Sequence, residues 1–155
     1  MTEKTAFFED VQVGTVLEFG NKKMTRQEII DFAKKYDPQP FHIDEEAAKD
    51  SIYGDVIASG WHTGSVTMRM MVDHMVNDRA GLGSPGFDNL KFRLPVRPGD
   101  TLRVRSTVID KKRSRSRPEM GTIFGLVEVL NQKDEVVMSF ESLGMIKAQT
   151  LGEED

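Results

Sequence analysis

One stretch of the chain constrains the fold more than any other, because residues 61–77 form a helical pattern that is apolar around most of its circumference. Valine, methionine and tryptophan fill many of its positions, and the polar side chains fall on one narrow strip. That strip consists of His62, Ser65, Arg69, Asp73 and Asn77. A helix with so little polar surface is usually buried by the elements around it. We therefore predict that this segment is a buried helix wrapped by the rest of the domain.

The period of the pattern changes after Gly83, where the chain becomes typical of strands. Apolar and polar residues alternate in 101–109, and residues 122–130 are nearly all apolar or β-branched, as in a strand covered on both faces. In 136–146 the apolar residues again share one face. Short turns separate these runs, so consecutive strands should pair as an antiparallel meander. The sequence predicts an α+β fold in which this sheet curls around the buried helix.

Shorter helices precede the buried one. Thr25 and Glu28 form an S/T-x-x-E capping box at the start of an amphipathic helix. Pro38 disfavours the helical conformation in the residue before it, so this helix should end at Asp37. Asp44 is predicted to cap a second short helix that continues through the four residues after it.

Composition limits the classes of function. The 155 residues are 38% apolar and 30% charged, which is typical of one soluble globular domain, here residues 1–155. No apolar run is long enough for a membrane helix, no secretory signal is visible, and cysteine is absent. We therefore predict a cytoplasmic protein without disulfides that does not associate with membranes. The net charge of −4 argues against nucleic-acid binding.

Basic residues crowd into the segment 111–117 despite the negative net charge. Such a run is most often the solvated end of a hairpin. Some of its arginines could instead attract the phosphates of a ligand, and Arg93 and Arg97, which flank a turn at Pro95, are comparable candidates. The sequence leaves both interpretations open.

Asp37 and His42 are the candidate acid–base pair. Pro38 and Pro40 stiffen the loop that carries both side chains, and catalytic groups have to be held rigidly. Histidine titrates near neutral pH, and a carboxylate can orient it or share a water with it. The same spacing also fits an aspartate that closes a helix and a histidine that packs beneath it. Spacing alone does not separate these two interpretations.

Three motifs in order resemble those of the MaoC-like acyl dehydratases, which include the (R)-specific enoyl-CoA hydratases. They are YDPQPFHID at 36–44, GDVIASGWHT at 54–63, and the strand–turn–strand pattern at 92–102. The resemblance spans about residues 8–147. It implies a single hotdog domain, a long helix wrapped by a curved antiparallel sheet. It also implies a homodimer or a dimer of dimers, with the acyl thioester in a tunnel between subunits.

The resemblance also implies roles for individual residues. Asp37 and His42 would hold a water that adds to the β-carbon of an enoyl thioester, and the backbone N–H of Gly60 would stabilise the developing oxygen charge. No metal or redox cofactor is expected, and coenzyme A enters only as part of the acyl-CoA substrate. The predicted substrate contacts are Gln39, Ser59, Trp61, Arg93 and Arg97.

Two positions depart from the family pattern. Gln39 replaces the usual asparagine, and Met68 stands where many hydratases of this type carry a serine, a contact that Ser65 or Thr67 would have to replace. The leading hypothesis is a reversible enoyl-CoA hydratase. A hotdog thioesterase and a non-catalytic acyl-CoA-binding subunit are the alternatives.

The other two histidines are not expected to bind metal, because their spacing is not that of a metal site. His62 is predicted to be a partly exposed residue at the start of the apolar helix. His74 receives no predicted role.

Overall fold

A computed structural model of the chain describes residues 5–152 and contains one five-stranded antiparallel sheet with a 15-residue helix packed against it. The strands run β1, β3, β4, β5, β2 across the sheet. Their bounds are β1 Val16–Lys23, β2 Phe87–Phe92, β3 Thr101–Arg113, β4 Met120–Leu130 and β5 Val136–Lys147. The helices are α1 Arg26–Tyr36, α2 Pro40–Ile43, α3 Glu45–Lys49 and α4 Gly60–His74. Within residues 5–152, no helix is long and apolar enough to cross a membrane.

The predicted meander is confirmed. β3 pairs with β4 and β4 with β5, each antiparallel, and the alternation in β3 buries Leu102, Val104 and Val108. The prediction that β4 is covered on both faces is wrong, because its residues alternate between buried and half-buried. The reason is that α4 packs against one face of the sheet, where Val127 and Val129 join its methionines in the core.

α4 is buried on one side only within the chain. Its inward side carries Thr67, Met70 and Met71, whereas Trp61 remains 65% exposed. The prediction of burial on most of the circumference is therefore wrong for a single chain. The prediction for His62 is also wrong, since its ring is buried and stacks on the ring of Phe32 with centroids 4.6 Å apart.

The capping predictions are confirmed. The Thr25 hydroxyl accepts a hydrogen bond from the Glu28 backbone N–H at 3.2 Å, and α1 ends at Tyr36 with Asp37 as its C-cap. Asp44 caps α3 through the first backbone N–H groups of that helix. These local signals fix where α1 ends, and that end carries the carboxylate of the candidate site.

Candidate active site

Asp37 follows the last residue of α1, and two side chains hold its carboxylate. The Gln39 amide donates to Oδ1 at 2.7 Å, and the Ser59 hydroxyl donates to Oδ2 at 2.7 Å. Hydrogen bonds to a carboxylate favour its ionised form. The bond from Gln39, followed by that from Ser59, therefore holds the pKa of Asp37 below its ordinary value. Asp37 is a carboxylate at neutral pH.

His42 lies on α2 with its side chain only 6% exposed. Its Nδ1 is 2.6 Å from the carbonyl oxygen of Ile57, which can only accept, so Nδ1 carries a proton. In the neutral ring Nε2 is then an acceptor, and it lies 3.3 Å from Oδ2 of Asp37. The ring nitrogen that can exchange a proton thus faces the carboxylate.

Ser59 connects the two halves of this site. Besides donating to Asp37, its fully buried hydroxyl accepts from the Trp61 backbone N–H at 3.3 Å and so caps α4. The end of α1 and the start of α4 are therefore joined through one side chain. Ser59 lies behind Asp37 as a support, rather than in the cavity wall where a substrate contact was expected.

The segment that carries the Ile57 carbonyl is itself fixed. Its backbone bonds to that of Phe41 at 3.1 Å, and the next residue, Ala58, bonds to Val96 at 2.9 Å. Asp55 begins this segment and binds Arg26 through two hydrogen bonds of 2.7 and 2.9 Å. The Arg26 guanidinium lowers the pKa of Asp55 to about 2, mainly through those hydrogen bonds.

Gly60 is the first residue of α4, where backbone N–H groups lack partners within the helix and the helix dipole is positive. A side chain does not fit here, because a Cβ would overlap the ring of Phe92, with Cε1 at 2.7 Å. The glycine therefore allows a close approach of ring and backbone. Gly60 borders the same cavity as Asp37 and His42.

A cavity of about 450 Å³ brings these groups together. Asp37, His42 and Gly60 lie in its wall, as do three of the predicted substrate contacts, Gln39, Trp61 and Arg93. Sequence reasoning missed several other lining residues: Phe41, Tyr53, Ile57, Thr63, Phe92 and Leu94. Their positions depend on the packing of distant segments, for which no local motif exists.

The remaining candidates lie elsewhere. Arg97 is outside the cavity wall, where its guanidinium donates to the Tyr53 carbonyl at 2.7 Å. In the basic run, Lys111 lies over the ring of Phe8 at 4.7 Å. The Ser65 and Thr67 hydroxyls donate to carbonyls one turn earlier in α4, so neither replaces the serine missing at Met68. Within residues 5–152, no group of three or more His, Asp or Glu side chains is placed to hold a metal ion.

Several known proteins are similar to this chain in sequence and in fold. The chain is 28% identical over 141 residues to the 3-hydroxybutyryl-CoA dehydratase of Methylorubrum extorquens, a match that covers 90% of this chain and 83% of that protein. The MaoC-like dehydratase of Rhodospirillum rubrum is 36% identical. Its crystal structure superposes with a TM-score of 0.86 over 94% of this chain and 99% of that chain.

A more distant structure identifies the fold. A Mycobacterium tuberculosis protein with a double hotdog fold superposes with a TM-score of 0.76, at 15% identity, over 97% of this chain and 47% of that one. The sheet with its long helix is therefore a hotdog fold, as predicted. A family model described as the MaoC like domain matches residues 9–128, which include Asp37, His42 and Gly60. The chain accordingly belongs to the MaoC-like domain family of dehydratases.

Proposed function

We propose that the protein catalyses the reversible hydration of a 2-enoyl-CoA to a 3-hydroxyacyl-CoA, with Asp37 and His42 as the acid–base pair. One observation carries the proposal. The Asp37 carboxylate and Nε2 of His42 lie 3.3 Å apart in the wall of a cavity, and the Ile57 carbonyl accepts from the other ring nitrogen, Nδ1. In the neutral ring, Nε2 and the carboxylate are both acceptors. A water molecule supplies two O–H donors, so it can bond to both groups at once.

The pair can activate that water without being consumed. The O–H bond breaks as the oxygen attacks the β-carbon, and the released proton passes to the pair. The same pair then returns a proton to the α-carbon, so both groups end in their starting states. Dehydration of the 3-hydroxyacyl thioester follows these steps in reverse.

Negative charge develops on the thioester oxygen during the attack, and a preset donor stabilises it. The backbone N–H of Gly60 fills this role, because it is unpaired within α4 and lies at the positive end of the helix dipole.

Trp61, beside Gly60 in the cavity wall, offers an apolar surface to the acyl group. Arg93, which borders the cavity, and the exposed Arg97 each carry a guanidinium that can bind the phosphates of coenzyme A. This chemistry requires no metal and no redox cofactor.

A second copy of the chain completes the site. Large apolar side chains that border the cavity or the groove beside it are exposed in the single chain: Trp61, Met68, Phe87, Leu90, Phe92 and Leu94. A contiguous apolar surface of this kind is typical of an interface. The purified 17.5 kDa chain should therefore sediment as a dimer or a larger even assembly. Sedimentation as a monomer would contradict this part of the proposal.

Hydration of crotonyl-CoA, followed by the loss of enoyl absorbance, tests the proposed chemistry. Asp37→Asn and His42→Ala should each lower kcat by about 10²- to 10⁴-fold. Asp73→Asn and His74→Ala are matched controls in the last turn of α4, outside the cavity wall, and should keep the parent rate.

Three outcomes would contradict the assignment. If both site variants hydrate crotonyl-CoA as fast as the parent, the pair does not handle the water. Release of free coenzyme A without a change in enoyl absorbance would indicate a thioesterase. Tight acyl-CoA binding by the parent without turnover of either kind would indicate a non-catalytic binding subunit.

A further inference from the structure

A second cavity lies between the C-terminal half of α4 and the sheet, away from Asp37 and His42. It holds about 190 Å³, and its wall is almost entirely apolar, with Met68, Met71 and Met75 on the helix side. Two kinds of polar group interrupt this wall: the guanidinium of Arg79 and the hydroxyls of Ser84, Ser106 and Ser142. An apolar cavity with a few convergent polar groups is the usual form of a ligand site.

Arg79 is the unusual member of this wall. Its side chain is half-buried, and no residue in 5–152 forms an ion pair or a hydrogen bond with its guanidinium. Asp10 and Asp78 border a neighbouring pocket that Arg79 also lines, and neither carboxylate lies within 4.0 Å of it. Burial lowers the pKa of Arg79 from its ordinary value, yet an arginine remains charged at neutral pH. Among residues 5–152, the Arg79 guanidinium is thus a cation without a counter-ion.

A groove along α4 shares wall residues with both the second cavity and the candidate active site. Gly60, Trp61 and Phe92 border both the groove and the active-site cavity. Met68 and Phe87 border both the groove and the second cavity. A ligand chain can therefore pass from one cavity to the other without crossing the core.

The length of this path sets the length of the ligand. Gly60 and Met68 are eight residues apart in α4, a rise of roughly 12 Å. An extended hydrocarbon chain advances roughly 1.3 Å per C–C bond of about 1.5 Å. An acyl chain whose carbonyl lies at Gly60 thus enters the second cavity after about nine or ten carbons.

Resting on the proposed function, we infer that the second cavity receives the far end of a long acyl chain that carries a terminal carboxylate, and that Arg79 binds this carboxylate. The methionine wall accommodates the hydrocarbon, since flexible thioether side chains adapt to irregular contacts. A plain hydrocarbon end would leave a half-buried cation beside apolar surface without compensation. A carboxylate accepts two parallel hydrogen bonds from a guanidinium, which removes that cost. The substrate class is therefore the mono-CoA thioester of an unsaturated dicarboxylic acid of about ten to sixteen carbons.

Gly144 provides an independent way to block the cavity. It lies in β5 opposite Ile123, borders the cavity, and a Cβ built there meets nothing within 4 Å. Gly144→Val therefore places a side chain in open space at a distance from Asp37 and His42. This variant fills the cavity without removing the charge of Arg79.

The test compares hydration of crotonyl-CoA, of plain 2-enoyl-CoA thioesters of ten to sixteen carbons, and of the same thioesters with a terminal carboxylate. The parent should prefer the carboxylated series in kcat/KM by about ten- to a hundred-fold, the range expected for a charged hydrogen-bonded pair. Arg79→Met should abolish this preference, and Arg79→Lys should restore part of it. Gly144→Val should exclude both long series and leave crotonyl-CoA hydration intact.

The inference fails if the parent hydrates the plain long series as well as the carboxylated one, or if Arg79→Met keeps the preference. It also fails if the parent accepts crotonyl-CoA and rejects both long series. If the parent hydrates no thioester at all, the proposed reaction fails. Calorimetric binding of saturated acyl-CoA with and without a terminal carboxylate, to the parent and to Arg79→Met, then decides the role of Arg79 by itself.

Discussion

Ser59→Ala tests whether the site is held together as its geometry indicates. The Ser59 hydroxyl is fully buried and has two partners, the Asp37 carboxylate at 2.7 Å and the Trp61 backbone N–H at 3.3 Å. Alanine fills nearly the same space, so the substitution removes these two hydrogen bonds and little packing. Its effects on stability and on the ionisation of Asp37 should therefore appear together.

The expected loss of stability follows from the two bonds. Removing an N-cap side chain costs about 1 kcal/mol. A hydrogen bond to a charged group contributes about 1.5–3 kcal/mol, and the lower end applies because Asp37 is 19% exposed and water can replace part of the bond. The free energy of unfolding should thus fall by about 2–3 kcal/mol at neutral pH. For a domain of this size, that corresponds to a decrease in Tm of about 5–10 °C.

The pH dependence has a definite sign. The folded-state pKa of Asp37 lies below its ordinary value of 3.8, mainly because of Gln39 and then Ser59. Its stabilising contribution is full above that ordinary value and is lost as the pH falls through the folded-state pKa. Ser59→Ala raises the folded-state pKa. The acid limb of kcat/KM should accordingly move to higher pH, because the reaction needs the carboxylate.

Thr25→Ala is the matched control for Ser59→Ala. Thr25 also caps a helix and also donates to a carboxylate, that of Glu28 at 3.0 Å, but it lies outside the candidate site. Thermal unfolding and crotonyl-CoA hydration across pH would be measured on both variants. Thr25→Ala should lose stability and keep the parent pH profile. An unshifted acid limb in Ser59→Ala would refute the claim that Ser59 controls the ionisation of Asp37.

Two further substitutions separate effects on the ionisation of a carboxylate from effects on the free energy of unfolding. Gln39→Ala should also move the acid limb of kcat/KM to higher pH but cost less than about 1 kcal/mol in urea unfolding, because the Gln39 side chain is exposed. A loss as large as that of Ser59→Ala would contradict this. Asp55→Asn should lower stability at neutral pH by about 1 kcal/mol, discounted for a side chain that is 39% exposed. The pKa of Asp55 in the folded protein is lowered to about 2. The difference in stability between Asp55→Asn and the parent should therefore vanish as the pH falls from 3.8 through 2. A difference that persists there would refute the role of the Arg26 pair.

The sequence predicted the parts of this fold whose causes are local. The Thr25 cap, the end of α1 before Pro38 and the Asp44 cap each depend on residues within one turn, so a single sequence contains the whole cause. The meander was predictable for the same reason, since alternation and turn residues are readable along one strand and its neighbour.

The burial of α4 was less predictable because it depends on what lies opposite each face. An apolar pattern shows that a helix needs cover, but it does not show whether that cover comes from the same chain. Trp61 belongs to the apolar pattern of α4, yet it is exposed, and His62, predicted to be partly exposed, is buried against Phe32. The ring of His62 stacks on Phe32, but within the described residues its buried Nδ1 has no hydrogen-bond partner, and burial holds the pKa of the imidazole below its ordinary value.

The candidate site shows the same division between local and distant causes. Asp37 and His42 stand five residues apart, and a motif can capture them. The groups that give them their chemical states come from elsewhere: Ser59 is 22 residues from Asp37, and the Ile57 carbonyl is 15 residues from His42. Without the carbonyl the tautomer of His42 would be undetermined, and without Ser59 the carboxylate would lose a donor that keeps it ionised. The end of α1 and the short helix α2 therefore supply the reactive groups, while the segment before α4 fixes the tautomer of His42 and supports the ionised form of Asp37.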